Sequence, residues 1–335
     1  MTASELPWAA GSATGIGSMP GTDPDEAARL VLGELPGLPF LPELPARGAP
    51  SDLTGRSSAL LVDLSVDLQP SGWRLVERPS RDSSRARDAL ARDLDAVEQA
   101  AQDAPPPLLK VQAAGPWTLA ATLELTRGEK ALSDHGAVRD LAESLAEGLR
   151  LHLADLGRRL PGTTLLLQLD EPSLPAVLTA RVPTSSGYAT LRAPQPQTAV
   201  DVLRTVLEVG EHVLVHCCAP HPPVRLLHKA GVRGLSLDAT LLTEADHDAL
   251  GEAVEAGVGL LLGCVPSTDA PLPGVDATLH PVRRLWQRLG LPAERLPQAV
   301  VVTPTCGLAG ASQQYARQAL QHCVRAGQAL ADEPL

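Results

Sequence analysis

The chain has 335 residues and a formal net charge of −11, a length that suits one large domain or two ordinary ones. The acidic balance excludes a nucleic-acid surface built on a clustered basic face, and no apolar run reaches the ~18 residues that span a bilayer. Hydrophobic residues make up 44% and aromatic ones only 2%, so a core has to be built from Leu, Val and Ala.

Short apolar runs alternate with longer amphipathic segments. They predict strands over residues 13–18, 37–42, 107–113, 163–170, 212–217, 233–238, 258–263 and 299–304. Most are continuous apolar runs, the pattern of parallel strands covered on both faces. Helices are predicted over 23–35, 81–103, 133–160, 197–210, 243–256, 276–289 and 312–331. Asp23 before Pro24 fits an N-cap followed by Pro at the first helical position. Val138, Leu141, Leu145, Leu149 and Leu153 recur at helical spacing. Eight strands with intervening helices predict a single α/β domain over 1–335, a (β/α)8 TIM barrel, with 1–11 and 332–335 as flexible ends. A doubly wound open sheet is the runner-up, but GIGSMP in the first turn is not the G-x-G-x-x-G of a dinucleotide site. An insertion after the second strand, 45–80, holds SALLVDLSVDL and is expected as a hairpin. A long loop, 172–196, follows the fourth strand and is expected as a lid, with Ser185, Ser186, Gly187 and Tyr188 near substrate.

The N-terminal MTASELPWAAGSATG lacks a basic segment followed by a long apolar one, so it does not read as a signal peptide. Five cysteines at irregular spacing form no disulfide framework. The expected location is the cytoplasm, where clustered thiols serve metals or catalysis more often than crosslinks.

Unusual polar residues collect at the C-terminal ends of the predicted strands. Ser18 follows the first and Glu43 the second; Asp170-Glu171 ends the fourth, His216 and Cys218 the fifth, and Asp238 the sixth. Cys264 and Cys306 sit just past the last two. In a barrel these positions share the rim that carries the chemistry. His216, Cys218, Asp238 and Cys306 offer N, S, O and S donors, all acceptable to tetrahedral zinc. Strand alternation puts His216 and Cys218 on one face and Cys217 on the other. Two readings stand at this point: a metal site, or two buried strand-end cysteines beside an internally bonded histidine. Asp170 and Glu171 face opposite ways, so one faces the pocket. Of the remaining histidines only His221 lies near this rim.

GIGSMP (15–20), AAGPWTL (113–119), LQLDEPSL (167–174), VHCC (215–218), GLSLDAT (234–240) and TPTCGL (303–308) occur in an order that resembles the C-terminal catalytic barrel of cobalamin-independent methionine synthase. That family lies in the superfamily that includes uroporphyrinogen decarboxylase. The resemblance spans about residues 12–310. It implies a Zn2+ cofactor held by His216, Cys218 and Cys306, with Asp238 where the family has a glutamate. The shorter side chain then requires either a closer backbone or a bridging water. It further implies that Gly17, Ser18 and Asp170 hold the amino acid part of homocysteine; Glu43, from its place at the rim, and Tyr188, from the lid loop, are expected as further substrate contacts. The activity implied is transfer of a methyl group to the zinc-bound thiolate of homocysteine, giving methionine. The chain departs from the family on the donor side. The N-terminal half that helps longer relatives bind a polyglutamylated folate has no counterpart in these residues. The folate-stacking Trp after GPxT is missing, leaving Trp117 as the donor contact, and LLLGCVPS lacks the family's acid histidine. The donor therefore stays open between methyltetrahydrofolate and methylcobalamin on a corrinoid protein. Alternatives are methyl transfer to another thiol, or a non-catalytic zinc-stabilised barrel. A tetrapyrrole decarboxylase would need a basic cluster where only isolated residues such as Arg56 stand. No nucleic-acid or membrane partner is expected.

Overall fold

A computed structural model describes residues 6–335. The chain runs α1 (Pro24–Glu34), α2 (Leu53–Ser58), β1 (Ser65–Gln69), β2 (Gly72–Val76), α3 (Arg81–Ala100), β3 (Leu108–Ala114), α4 (Pro116–Thr122) and α5 (His135–Arg159). It continues through β4 (Thr164–Asp170), α6 (Leu174–Leu178), α7 (Pro196–Leu207), β5 (Val213–Cys217), α8 (Val224–Ala230) and β6 (Gly234–Asp238). Last come α9 (Glu244–Glu255), β7 (Gly259–Val265), α10 (Val275–Leu289), α11 (Leu296–Ala299), β8 (Val300–Pro304) and α12 (Gln313–Asp332).

Six strands form one curled parallel sheet in the order β3-β4-β5-β6-β7-β8, each beside its sequence neighbour. These are the predicted strands from residue 107 onward. The two earlier predictions, 13–18 and 37–42, are corrected. They make no ladder: single parallel bridges tie Ala13 to Val302 and Phe40 to Lys110 of the sheet, and a third, Ser18 to Glu43, joins the two segments to each other. Pro39 and Pro42 have no N–H to donate, and Gly15 and Gly17 weaken extended pairing.

Alternation divides the sheet residues between two cores. Leu109, Val111, Leu167, Val215, Leu235, Leu260 and Val302 face outward and join the apolar faces of the helices. Leu108, Leu166, Leu214, Leu261 and Val301 face inward and form a separate cluster with Leu38 and Trp8 at the N-terminal ends of the strands. Trp8 plugs that end, and a Cβ at Gly259 would lie 2.3 Å from its indole, so only glycine fits there. Thus the expected flexible stretch 1–11 is packed by Trp8; residues 1–5 lie outside the described residues. Above the plug the inward face turns polar, with Lys110, Gln168, His216, Ser236 and Thr303 all buried.

The helices follow local chemistry. Asp23 caps α1, its Oδ1 accepting from the amides of Asp25 (2.9 Å) and Glu26 (3.2 Å), with Pro24 in the first turn. Such a cap contributes about 1 kcal/mol. The predicted α5 stripe is buried at Val138, Leu141, Leu145 and Leu149, with Leu153 half-buried. The sequence pattern missed α2, α4, α6, α8 and α11, which are too short to display a helical period. The insertion does hold a hairpin, β1–β2, docked through Leu75 N–H to the Glu124 carbonyl (2.7 Å) and Arg74 to the Glu124 carboxylate (2.7 Å). The loop 172–196 contains α6 and one antiparallel bridge, Pro183 to Thr190. No described helix is long and apolar enough to cross a membrane.

Candidate metal centre

His216 is the penultimate residue of β5 and Cys218 the first beyond it; Cys306 lies two residues past β8. Cys217, between them, points into the helical core and is buried. One ligand atom from each of His216, Cys218 and Cys306 lies within 4.8 Å of the others. The two sulfurs are 3.6 Å apart. His216 Nδ1 is 2.9 Å from Ser236 Oγ, and its Nε2 is buried without a hydrogen-bond partner. A buried ring nitrogen costs free energy when unpaired. One imidazole nitrogen and two sulfurs, with the second ring nitrogen engaged by a hydroxyl, match what a zinc ion requires. The contacts with Cys218 and then His216 lower the Cys306 thiol to about 4, and its contact with Cys306 raises the Cys218 thiol.

The three residues open into a cavity of about 200 Å³, also lined by Gly17, Ser18, Glu43 and Asp170. Gly17 lies so close to Gln112 that a Cβ would sit 2.8 Å from its Cγ. Asp170 Oδ1 accepts from Gln168 Nε2 at 2.7 Å. Burial raises the Asp170 carboxyl, opposed by His216 and Lys110. Burial also pushes Glu43 up to about 7, opposed by Arg56, whose Nε is 3.5 Å from Glu43 Oε1. Lys110, fully buried, is lowered to about 8 by desolvation despite Asp170 and Glu43. Arg56 also pairs with buried Asp93. Glu171 turns away from the cavity. Its carboxylate accepts from the amides of Trp117 (2.9 Å) and Thr118 (2.7 Å) and from Thr118 Oγ1 (2.8 Å), capping α4.

The sequence profile described as cobalamin-independent synthase, catalytic domain, matches residues 11–329. The chain belongs to that family. Among solved structures it is similar to a B12-independent methionine synthase from Shewanella sp. W3-18-1 in complex with selenomethionine. The identity there is 12%, covering 97% of this chain and 98% of that one, with a TM-score of 0.62. It is also similar to a methyltransferase from Methanosarcina mazei at 15% identity, covering 97% and 94%, with a TM-score of 0.59. At such identities the likeness is one of fold. No curated protein sequence matches the chain significantly.

In this family member three expected site residues stand apart from the centre. Asp238 is not in the ligand group: its Oδ1 accepts from Thr240 N (2.9 Å) and Thr240 Oγ1 (2.6 Å). Tyr188 is 97% exposed. Of the loop 172–196 only Pro172 lines the cavity, and Ser185 is bonded instead to Glu129 (2.9 Å). Trp117 is buried in α4 with its Nε1 donating to the Ala199 carbonyl at 3.2 Å, so it offers no stacking face. The sequence reading missed Lys110, Gln168 and Ser236. Each is a lone polar residue inside an apolar run, which was the available signal. Three larger cavities lie elsewhere: an open groove of about 430 Å³ between α9 and α10, a second of about 310 Å³ along the same helices, and one of about 450 Å³ beside α6. None of the three contains the ligand group.

Proposed function

We propose that the chain is a zinc-dependent methyltransferase that moves a methyl group to the thiol of homocysteine, giving methionine. The observation that carries this reading is the donor set of His216, Cys218 and Cys306 opening into a small cavity that also holds Asp170 and Glu43. Family membership supports methyl transfer. We read the six-stranded sheet and its two bridged segments as the closed (β/α)8 ring whose rim carries the site.

Two Cys and one His leave one position of a tetrahedral zinc open, the arrangement of catalytic rather than structural sites. Zinc bound there would supply ionisation, holding the substrate sulfur as a thiolate at neutral pH. The chain's own residues do the rest. Ser236 fixes the His216 ring so that Nε2 faces the ligand group. The carboxylates of Asp170 and Glu43 suit an ammonium, and the Ser18 hydroxyl with the nearby backbone N–H groups suits a carboxylate. A cavity of about 200 Å³ is below the ~300–1,000 Å³ of drug-sized pockets and suits an amino acid. With Trp117 buried, the reading favours methylcobalamin on a corrinoid protein over methyltetrahydrofolate. The S–C bond forms as the Co–C bond breaks with its electron pair left on cobalt, and the thiol proton goes to solvent. All five cysteines are free, which supports a reducing cytoplasm.

The test is zinc-loaded protein with homocysteine and either methylcobalamin or methyltetrahydrofolate, with methionine as the readout. Methionine from methylcobalamin is expected. Methionine from folate alone overturns the donor assignment, and none from either donor overturns the function.

A further inference from the structure

The two segments that present Gly17, Ser18 and Glu43 to the cavity are weakly joined to the sheet. Between β8 and the first segment run Thr14 N to Val302 O and Val302 N to Ser12 O, each 3.1 Å. Between the segments run Met19 N to Glu43 O (2.8 Å) and Glu43 N to Gly17 O (3.0 Å). Between the second segment and β3 run Leu41 N to Lys110 O (2.8 Å) and Lys110 N to Pro39 O (2.9 Å). Adjacent β3 and β4, by contrast, pair continuously from Leu108↔Thr164 to Ala114↔Asp170.

Buried side chains replace the missing ladder. The Ile16 carbonyl accepts from Lys110 Nζ (2.6 Å) and Gln168 Nε2 (2.9 Å). The Leu41 carbonyl accepts from Gln112 Nε2. Gln112 Oε1 in turn accepts from Lys110 Nζ at 3.2 Å, and Gln168 Nε2 also reaches Asp170. Lys110 is 0% exposed, so its charge has no recourse to water. Lys110 touches the first segment and, through Gln112, the second, while its charge stands near both Glu43 and Asp170.

We propose that Lys110 is a positioning residue: together with Gln112 and Gln168 it braces the segments 13–18 and 39–43, and so sets where Ser18, Glu43 and Asp170 meet an amino acid substrate. The brace stands on the hydrogen bonds alone; its bearing on substrate rests on the function proposed above. A buried lysine in an otherwise apolar run is costly unless its ammonium is used, and here it is used on the elements that carry the cavity.

The test combines two readouts on Lys110→Met. Hydrogen exchange reads the brace without any substrate. Removing a buried charged donor should speed exchange at the Met19, Leu41 and Glu43 amides by about tenfold or more, with the β5–β6 ladder unchanged. Homocysteine kinetics read the positioning: KM should rise about tenfold, with kcat at saturation and zinc content held. Unchanged exchange overturns the brace, and an unchanged KM overturns the positioning role. If the wild type shows no turnover, the proposed function fails while the exchange experiment still decides the brace. Should Lys110→Met not fold, Gln168→Met takes its place. It keeps the charge and should accelerate Met19 exchange alone; no acceleration there again counts against the brace.

Discussion

His216 Nδ1 and Ser236 Oγ meet at 2.9 Å across the β5–β6 pair, where the two residues are register partners. The contact assigns the ring's other nitrogen to the ligand group. Ser236→Ala frees the ring to rotate and removes a partner that raises ligand basicity. Zinc affinity should fall about 10–100-fold with the fold intact, as competition with a chelator would measure. Unchanged affinity would mean that the hydroxyl does not orient the ligand.

The Cys218 and Cys306 sulfurs lie 3.6 Å apart, close enough to share one ion, so the proposed centre needs both. Wild-type protein purified without chelators should hold one zinc per chain. Cys306→Ser and Cys218→Ser should each lose most of it, with circular dichroism unchanged. A Cys217→Ala variant should keep its zinc, since that thiol faces the helical core.

Asp238 provides the sharpest contrast with expectation. Its carboxylate is engaged by Thr240 and lies outside the ligand group. Asp238→Ala should therefore keep the metal, with affinity changed less than tenfold. Loss of zinc comparable to Cys306→Ser would show that Asp238 swings in as a fourth ligand.

The parallel strands from residue 107 onward were legible because each is an apolar run bounded by turn residues. Residues 13–18 and 37–42 looked the same because burial, not pairing, sets their apolar character; their glycines and prolines limit the ladder. The His216/Cys218 face followed from alternation, which also set Asp170 and Glu171 on opposite faces; that Asp170 is the one in the cavity came from the resemblance and not from the pattern. Cys306, 88 positions beyond Cys218, was reached from its place just past the last predicted strand, at the same rim, and from the family resemblance, since nothing local ties it to His216 and Cys218. The burial of Trp117 was not legible, because a short helix, invisible to periodicity, turns its indole into the core. Lys110 and Gln168 interrupt apolar runs, but sequence cannot say which carbonyls they will reach.

His152, buried on α5, supplies a pH signature. Burial and then the charge of Arg56 lower it from 6.5 to about 4. An unfolded chain takes up that proton near pH 6.5, whereas the folded protein resists until about pH 4. Stability is therefore full above about pH 6.5 and lost as pH falls, by about 2 kcal/mol between pH 7 and pH 5. Urea denaturation at the two pH values should show that loss, and His152→Leu should remove it. Parallel losses in both proteins would assign the pH dependence to other groups.

The central claim is that the three-ligand centre takes up a substrate thiol. Zinc K-edge absorption on zinc-loaded protein, with and without homocysteine, tests it most directly. The account predicts a shell with two sulfurs from the protein and a third on adding homocysteine. A shell that contains no protein sulfur, or that homocysteine leaves unchanged, would contradict it.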